Sequence, residues 1–175
     1  MKTTVIAVVG SKSSGKTMAI EVLTRELTRR GYKVAAVKHI PEPNFTIDRE
    51  GKDTWRFAQS GAKTIVSVAS DEIATIEKVD ATAFSLEGIL KRCKNVDLVF
   101  LEGFKRLVGK NRELPKIVTV ESAEEALEAS KTFRPILAFT GLHSIETVNL
   151  KAPYINMLRD SEKMVDMVEK VARER

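Results

Sequence analysis

The sequence predicts an α/β fold with three layers, in which helices cover both faces of a mostly parallel sheet and a β-hairpin is inserted. Segments with strand character alternate with segments of helical period along the chain, which is the pattern of strand–helix–strand units. The strand segments are continuous apolar runs such as "TTVIAVV" at 3–9, as expected of strands buried on both faces. No repeat, low-complexity tract or linker interrupts this order, so we predict a single domain over residues 1–175.

The elements follow from local patterns. In order, we predict a strand at 3–9, a helix at 15–30, a strand at 33–39, a helix at 51–60, strands at 62–70 and 72–79, a helix at 82–94, a strand at 96–103, a strand at 116–121, a helix at 122–131, a strand at 135–141 and a helix at 154–173. The first helix carries Ala19, Leu23 and Leu27 on one face, and Gly31 is its C-terminal cap. The strands at 62–70 and 72–79 are separated by a tight turn and form the hairpin.

Composition limits the possible partners. The formal net charge is +5, with 43% apolar and 30% charged residues, so we expect a soluble globular protein that binds anions. Basic and acidic residues are interleaved, which favours a small anion and gives no reason to expect nucleic acid. No apolar run reaches the roughly 20 residues that span a bilayer. We therefore expect a cytoplasmic protein without a membrane partner. The single cysteine, Cys93, excludes an internal disulfide.

A phosphate-binding loop follows the first strand. The stretch "GSKSSGKT" fits the pattern G-x-x-x-x-G-K-[ST], the Walker A motif, and lies between a predicted strand and a predicted helix. Its glycines let successive N–H groups point inward, the lysine reaches the β- and γ-phosphates, and the threonine hydroxyl binds Mg²⁺. The predicted nucleotide-binding residues are Gly10, Ser11, Lys12, Ser13, Ser14, Gly15, Lys16 and Thr17. Lys12 is equally compatible with a phosphate contact and with a solvated side chain.

A second part of the site is expected at the end of the strand "VDLVFLEG". Glu102 lies at its C-terminal end, the edge at which open α/β sheets bind ligands. Glu102 is therefore a candidate for holding Mg²⁺ through water or for orienting a water on the γ-phosphate, the one catalytic role we assign. The alternative is a strand-end acid that pairs with Lys105 or Arg106.

The nucleobase is left undecided by the residues alone. The sequence has no N-K-x-D motif for guanine. The nearest candidate is "FTGLH" at 139–143, where Thr140 either bonds the base or belongs to an ordinary turn.

Residues 38–57, "KHIPEPNFTIDREGKDTWRF", form a charged insert that is too polar for a core strand. The insert begins at the C-terminal end of the second strand, so Lys38 and His39 are expected near the phosphates. Further along it, we expect the following residues to cover the mouth of the site: Asp48, Lys52, Asp53 and Arg56. A charged segment in this position is typical of a switch or of a partner-binding surface.

Taken together, these stretches resemble one known family. "GSKSSGKT", "KH" at 38–39, "FTIDREGKDTWRFAQSGA" at 45–62, "LVFLEGFK" at 98–105 and "PKIV" at 115–118 occur in the order typical of the molybdopterin-guanine dinucleotide biosynthesis protein B (MobB) family. Members of this family often carry several histidines after "KH", whereas here His39 is followed by "IPEPN". The resemblance therefore does not extend to a histidine cluster.

The resemblance implies a P-loop NTPase-like fold, GTP binding with Mg²⁺, weak GTP hydrolysis and a homodimer. It implies an accessory role in molybdenum cofactor biosynthesis, beside the guanylyltransferase that joins GMP to molybdopterin, and leaves open whether molybdopterin contacts this chain. By the same resemblance Glu102 belongs to the magnesium side of the site, and four residues line the site or its covering segment: Lys38, His39, Asp48 and Asp53.

Two other functions use the same loop. A small-molecule kinase would need an acid such as Asp48 as base and an arginine-rich lid, for which only Arg106 and Arg112 are candidates. A metal-insertion GTPase would need clustered Cys and His ligands, whereas the chain has one cysteine and two distant histidines, His39 and His143.

Overall fold

The computed structural model describes residues 3–79, 84–145 and 149–174. The chain forms two compact units, one made of Met1–His39 and Leu86–Arg175 and the other of Ile40–Ser85. Because the two units are separate bodies of contacts, the single domain predicted for residues 1–175 stays a prediction.

The described elements alternate between strands and helices. In chain order they are β1 (Thr4–Gly10), α1 (Lys16–Arg29), β2 (Val34–Lys38), α2 (Asp53–Gln59), β3 (Thr64–Val68), β4 (Ile73–Glu77), α3 (Leu86–Leu90), β5 (Leu98–Glu102), α4 (Lys105–Val108), β6 (Lys116–Thr119), α5 (Ala123–Thr132), β7 (Ile136–Gly141), β8 (Tyr154–Asn156) and α6 (Ser161–Arg173).

The first unit is a three-layer α/β/α sandwich. Its sheet has the order β2-β5-β1-β6-β7-β8, and every pair of neighbouring strands is parallel. Ile6 and Val8 pack with α1 and α6 on one face, while Val5, Ala7 and Val9 pack with the helices of the opposite face. The continuous apolar run of β1 is therefore explained by burial on both sides, and the predicted fold class is confirmed.

The sheet order places three strand ends beside one another. β5 lies between β2 and β1, and Glu102 is in register with Lys38 on one side and Val8 on the other. The carboxyl ends of all three strands share one edge, because the strands are parallel. The phosphate loop leaves β1 at this same edge.

The second unit contains the predicted hairpin. β3 and β4 pair antiparallel, with Val68 opposite Ile73 and Ile65 opposite Ile76. α2 precedes the hairpin, within the helix predicted at 51–60. The hairpin prediction is confirmed.

Two predicted helices differ from the observed ones. The predicted helix at 154–173 is wrong over its first part, since Tyr154–Asn156 form β8 beside β7 and α6 begins only at Ser161. The β-branched Ile155 fits a strand, and the parallel pairing with β7 decides the conformation.

The helix predicted at 82–94 is shorter than expected. α3 ends at Leu90, because the following N–H groups make tighter turns, from Arg92 to the Ile89 carbonyl at 3.0 Å and from Cys93 to the Leu90 carbonyl at 2.9 Å. Residues 82 and 83 lie outside the described residues. The four-residue α4 had no sequence prediction.

Within the described ranges, none of the helices combines the length and the apolar character that crossing a lipid bilayer requires.

Candidate nucleotide-binding site

The phosphate loop has the backbone conformation that the motif predicts. Ser13 and Gly15 adopt positive φ angles of 63° and 91°, which turn the chain sharply between β1 and α1. Gly15 is the N-cap of α1 and provides no side-chain cap. The first N–H groups of α1 therefore point toward the loop, where the helix N-terminus favours an anion.

Gly10 lies where the loop approaches β6 most closely. A Cβ atom at this position would overlap both the side chain and the backbone of Thr119 and would lie 2.8 Å from Ser14 Oγ. Only a glycine fits this space. Beneath it, Ser14 Oγ lies 2.6 Å from Thr119 Oγ1 and donates to the Ser11 carbonyl at 2.8 Å, so a buried pair of hydroxyls supports the loop from below.

Lys16 begins α1, and its ammonium donates to the Ser11 carbonyl. Burial lowers the pKa of Lys16, Glu102 opposes this by attraction, and Lys105 and Lys38 lower it further by repulsion. The ammonium is thus held inside the loop among other cations. An anionic ligand would relieve that repulsion.

Glu102 ends β5, between β1 and β2, and its side chain contacts α1 through Thr17. Thr17 Oγ1 lies 3.1 Å from both carboxylate oxygens and donates to them. Lys38 Nζ lies 3.1 Å from Oε1. The structure therefore brings together Glu102, Thr17 and Lys38, and the ion pair that it shows for Glu102 is with Lys38 and not with Lys105 or Arg106.

The donor set at this edge fits Mg²⁺. The Thr17 hydroxyl donates its proton to Glu102, which leaves its lone pairs available to a cation. Hydroxyl and carboxylate oxygens are the hard ligands that Mg²⁺ prefers, and the ion usually completes its shell with phosphate oxygens and water. Within the described residues no cluster of three or more His, Cys, Asp or Glu side chains offers a metal cage made by protein alone.

His39 lies next to this cluster. Its backbone N–H donates to the Glu102 carbonyl at 3.0 Å, which continues the pairing of β2 with β5. Its ring is tilted by 50° against Phe104, with centroids 5.2 Å apart. The residue is therefore fixed at the edge of the sheet, close to the carboxylate that Thr17 contacts.

The other predicted switch residues belong to the second unit. Asp48 accepts a hydrogen bond from Thr54 Oγ1 at 2.8 Å, Lys52 is the N-cap of α2, and Asp53 forms an exposed ion pair with Arg56 at 3.7 Å. These contacts order the start of α2. A role for Asp48, Lys52 and Asp53 over the nucleotide stays a prediction.

Thr140 is not a base-reading residue. Its side chain is buried and Oγ1 donates to the Ile155 carbonyl at 2.7 Å. Leu142, in the same stretch, packs against Gly15 and would lie 3.0 Å from a Cβ atom there. The segment after β7 thus contacts the loop through an apolar side chain.

Two features of the site were missed at the level of sequence. Thr119 supports the loop from β6, and only the strand order places it there. A groove of about 510 Å³ lies between α1 and β2. It is lined by Thr17, Ile20, Glu21, Thr24, Arg25, Ala36, Val37, Lys38 and Glu102. It adjoins the phosphate loop through Thr17.

Comparison with known proteins decides the family. The model of the family described as "Molybdopterin guanine dinucleotide synthesis protein B" (MobB) matches residues 5–140. The chain belongs to the MobB family. The matched residues include the phosphate loop, the insert and Glu102.

Relatives and solved structures agree with this membership. The chain is 35% identical over 123 residues, 69% of its length, to a putative molybdopterin-guanine dinucleotide biosynthesis adapter protein of Methanocaldococcus jannaschii. It is 33% identical over 115 residues, 65% of its length, to the molybdopterin-guanine dinucleotide biosynthesis adapter protein of Haemophilus influenzae. The matches span 48% and 61% of those two relatives. A crystal structure of molybdopterin-guanine biosynthesis protein B superposes with a TM-score of 0.73 and 27% identity, covering 97% of this chain and 99% of that one.

Proposed function

We propose that this member of the MobB family is a GTP-binding adapter of molybdenum cofactor biosynthesis. It assists a guanylyltransferase that attaches GMP to molybdopterin, and it acts as a homodimer in the cytoplasm. The observation that carries the proposal is the family match over residues 5–140, which includes a phosphate loop with Glu102 hydrogen-bonded to Thr17. Relatives that are named adapter proteins support the same role.

The site binds a triphosphate through the chain's own groups. The N–H groups of the loop and the N-terminus of α1 face the β-phosphate, and Lys16 contacts the β- and γ-phosphates. Thr17 and Glu102 are the residues that would hold a magnesium ion, which would neutralise phosphate charge.

Hydrolysis at this site is expected to be slow. Both oxygens of Glu102 accept from the single Thr17 hydroxyl, and the same carboxylate is the one that would hold the magnesium ion. A carboxylate held in this way orients a neighbouring hydroxyl or water more readily than it takes a proton. The chain therefore acts mainly as a nucleotide-binding accessory protein.

The nucleotide part of the proposal is tested by calorimetry of GTP and ATP with Mg²⁺. We expect GTP to bind more tightly. Lys16→Ala should abolish binding while the far-UV spectrum stays unchanged, because a charged contact to two phosphates is lost. Lys170→Ala, on the exposed surface of α6, is the control. Tighter binding of ATP would overturn the guanine assignment, and normal binding by Lys16→Ala would overturn the site.

The partner is tested by capture from native extract. We expect a guanylyltransferase to be retained by the wild-type chain and retained less by Asp53→Ala, which alters the predicted partner surface. GTP affinity should stay the same in that variant. Equal retention by wild type and variant would exclude Asp53 from the partner surface. If neither chain retains a guanylyltransferase, the adapter role is overturned.

A small-molecule kinase is the second candidate. It is supported by the groove of about 510 Å³ that shares Thr17, Lys38 and Glu102 with the phosphate site. Transfer of the γ-phosphate of GTP to a pterin or another small acceptor, followed with a radiolabelled phosphate, would favour this function over the adapter.

A further inference from the structure

Lys38 lies outside the phosphate loop, at the end of a neighbouring strand. It is the last residue of β2, an edge strand of the six-stranded sheet, and it is in register with Glu102 of β5. Its ammonium lies 3.1 Å from Glu102 Oε1, and its side chain is 56% exposed while that of Glu102 is 12% exposed. The lysine is therefore held at the edge of the sheet but open to a ligand.

Lys38 and Thr17 both contact Glu102 Oε1. Thr17 Oγ1 also contacts Glu102 Oε1, at 3.1 Å. In a phosphate loop the threonine hydroxyl marks the position of the magnesium ion beside the β- and γ-phosphates. The ammonium of Lys38 and the Thr17 hydroxyl thus contact the same carboxylate oxygen. This places Lys38 close to where the terminal phosphates are expected to bind.

The charges around Glu102 do not balance. Lys38 Nζ lies 3.1 Å from Glu102 Oε1, and a second lysine, Lys16, begins α1 directly before Thr17, which donates to the same carboxylate. An excess of positive charge at a partly enclosed site favours a ligand with several negative charges. A triphosphate supplies one more anionic group than a diphosphate.

We propose that Lys38 recognises the terminal phosphate of a bound nucleoside triphosphate and thereby distinguishes triphosphate from diphosphate. When the triphosphate binds, the ammonium leaves Glu102 Oε1 for an oxygen of the γ-phosphate, and Glu102 is left to Thr17. The exchange is favourable because a partly exposed lysine–glutamate pair contributes little, whereas a phosphate oxygen accepts a strong charge-assisted hydrogen bond. The inference rests on the proposed function only in requiring that the loop bind a nucleotide.

Lys38 therefore differs from Lys16. Lys16 lies within the loop and is needed for any nucleotide that places a β-phosphate there. Lys38 reaches the site from a neighbouring strand and contacts only the last phosphate. Its removal should change the preference between two nucleotides rather than binding as such.

The test measures the affinities of wild type and Lys38→Met for GDP and for a non-hydrolysable GTP analogue with Mg²⁺. We expect Lys38→Met to bind the analogue about tenfold or more weakly, as for the loss of one hydrogen bond to a charged group, and GDP as the wild type does. Lys38→Arg should restore the preference. The matched control is Lys33→Met, an exposed lysine just before the other end of β2, which should behave as the wild type.

The outcomes separate this inference from the proposed function. An unchanged ratio of the two affinities in Lys38→Met, or an equal loss for both nucleotides, overturns the role of Lys38 and leaves nucleotide binding intact. If ATP proves to be the ligand, the same ratio is measured with ADP and a non-hydrolysable ATP analogue. A wild-type chain that binds no nucleotide overturns both proposals.

Discussion

Gly10 is the residue at which the loop depends most on the absence of a side chain. A Cβ atom would meet the side chain and the carbonyl of Thr119, as well as Ser14 Oγ at 2.8 Å. Backbone contacts cannot be relieved by a rotamer change, so Gly10→Ala should destabilise the chain by about 1–3 kcal/mol, as overpacking does, and should also weaken nucleotide binding. Urea unfolding measures the first effect. Wild-type stability of Gly10→Ala would show that β1 and β6 can separate at this edge.

At the same scale, sequence reasoning found the residues but not their partners. The motif identified Gly10 to Thr17, because its spacing specifies a loop without reference to the rest of the fold. The pairing of Glu102 with Lys38 depends on β2 lying beside β5, and the support of Ser14 by Thr119 depends on β6 lying beside β1. Neither neighbour follows in sequence, so these contacts could not be predicted from local patterns.

At the scale of elements, α1 and α6 are joined through Glu169. Its carboxylate accepts hydrogen bonds from the Tyr32 hydroxyl at 3.0 Å, Arg173 at 2.9 Å and Arg30 at 2.9 Å. The Tyr32 bond, with those from the two arginines, lowers the pKa of Glu169 against the opposing effect of desolvation. The ionised carboxylate therefore stabilises the contact between the end of α1 and α6.

This arrangement predicts a pH dependence. A carboxyl with a lowered folded-state pKa stabilises the fold above its unfolded pKa of about 4.3 and loses that contribution as pH falls through the folded value. Glu169→Gln should lower the free energy of unfolding at pH 7, and the difference from wild type should shrink below about pH 4. Denaturant unfolding across pH 3 to 7 checks this, with Glu42→Gln, at an exposed position outside the helices, as control. A difference that does not vary with pH would assign the effect to packing.

Long apolar strands were the best-predicted elements, and short ones the worst. β1 and β5 are buried on both faces, so their apolar runs identified them. β8 has only three residues, and its strand conformation depends on parallel pairing with β7. The sequence "RDSEK" at 159–163 does contain a start signal for α6, since Asp160 is its N-cap, but the apolar residues before it suggested a longer helix.

At the scale of the whole molecule, the second unit has too little core to fold alone. Among its described residues, Ile65 is the single buried hydrophobic side chain. A small unit with so little core has little stability of its own, so we expect one cooperative transition for the whole chain. Trp55, the chain's one tryptophan, lies in this unit, so its fluorescence should change at the same urea concentration as the far-UV signal. An earlier fluorescence change would contradict the single domain.

The same hairpin carries an exposed apolar face on which the proposed homodimer can be tested. Val66, Val68 and Ile73 are 55%, 74% and 70% exposed, and Val68 is paired with Ile73 across the hairpin. Adjacent exposed apolar side chains on a small unit mark an interaction surface, and a symmetric pair of such faces would close a dimer. We therefore expect the proposed homodimer to use this face.

Exchanging the pair for charges tests that expectation. Val68→Glu combined with Ile73→Lys places opposite charges across the strands, which preserves the hairpin but makes its outer face polar, so the dimer should become a monomer in sedimentation velocity. Leu158→Lys is the control, because Leu158 is 63% exposed and lies outside the hairpin. A double variant that remains dimeric would assign the interface elsewhere, and a wild-type monomer at all concentrations would remove the homodimer from the proposal.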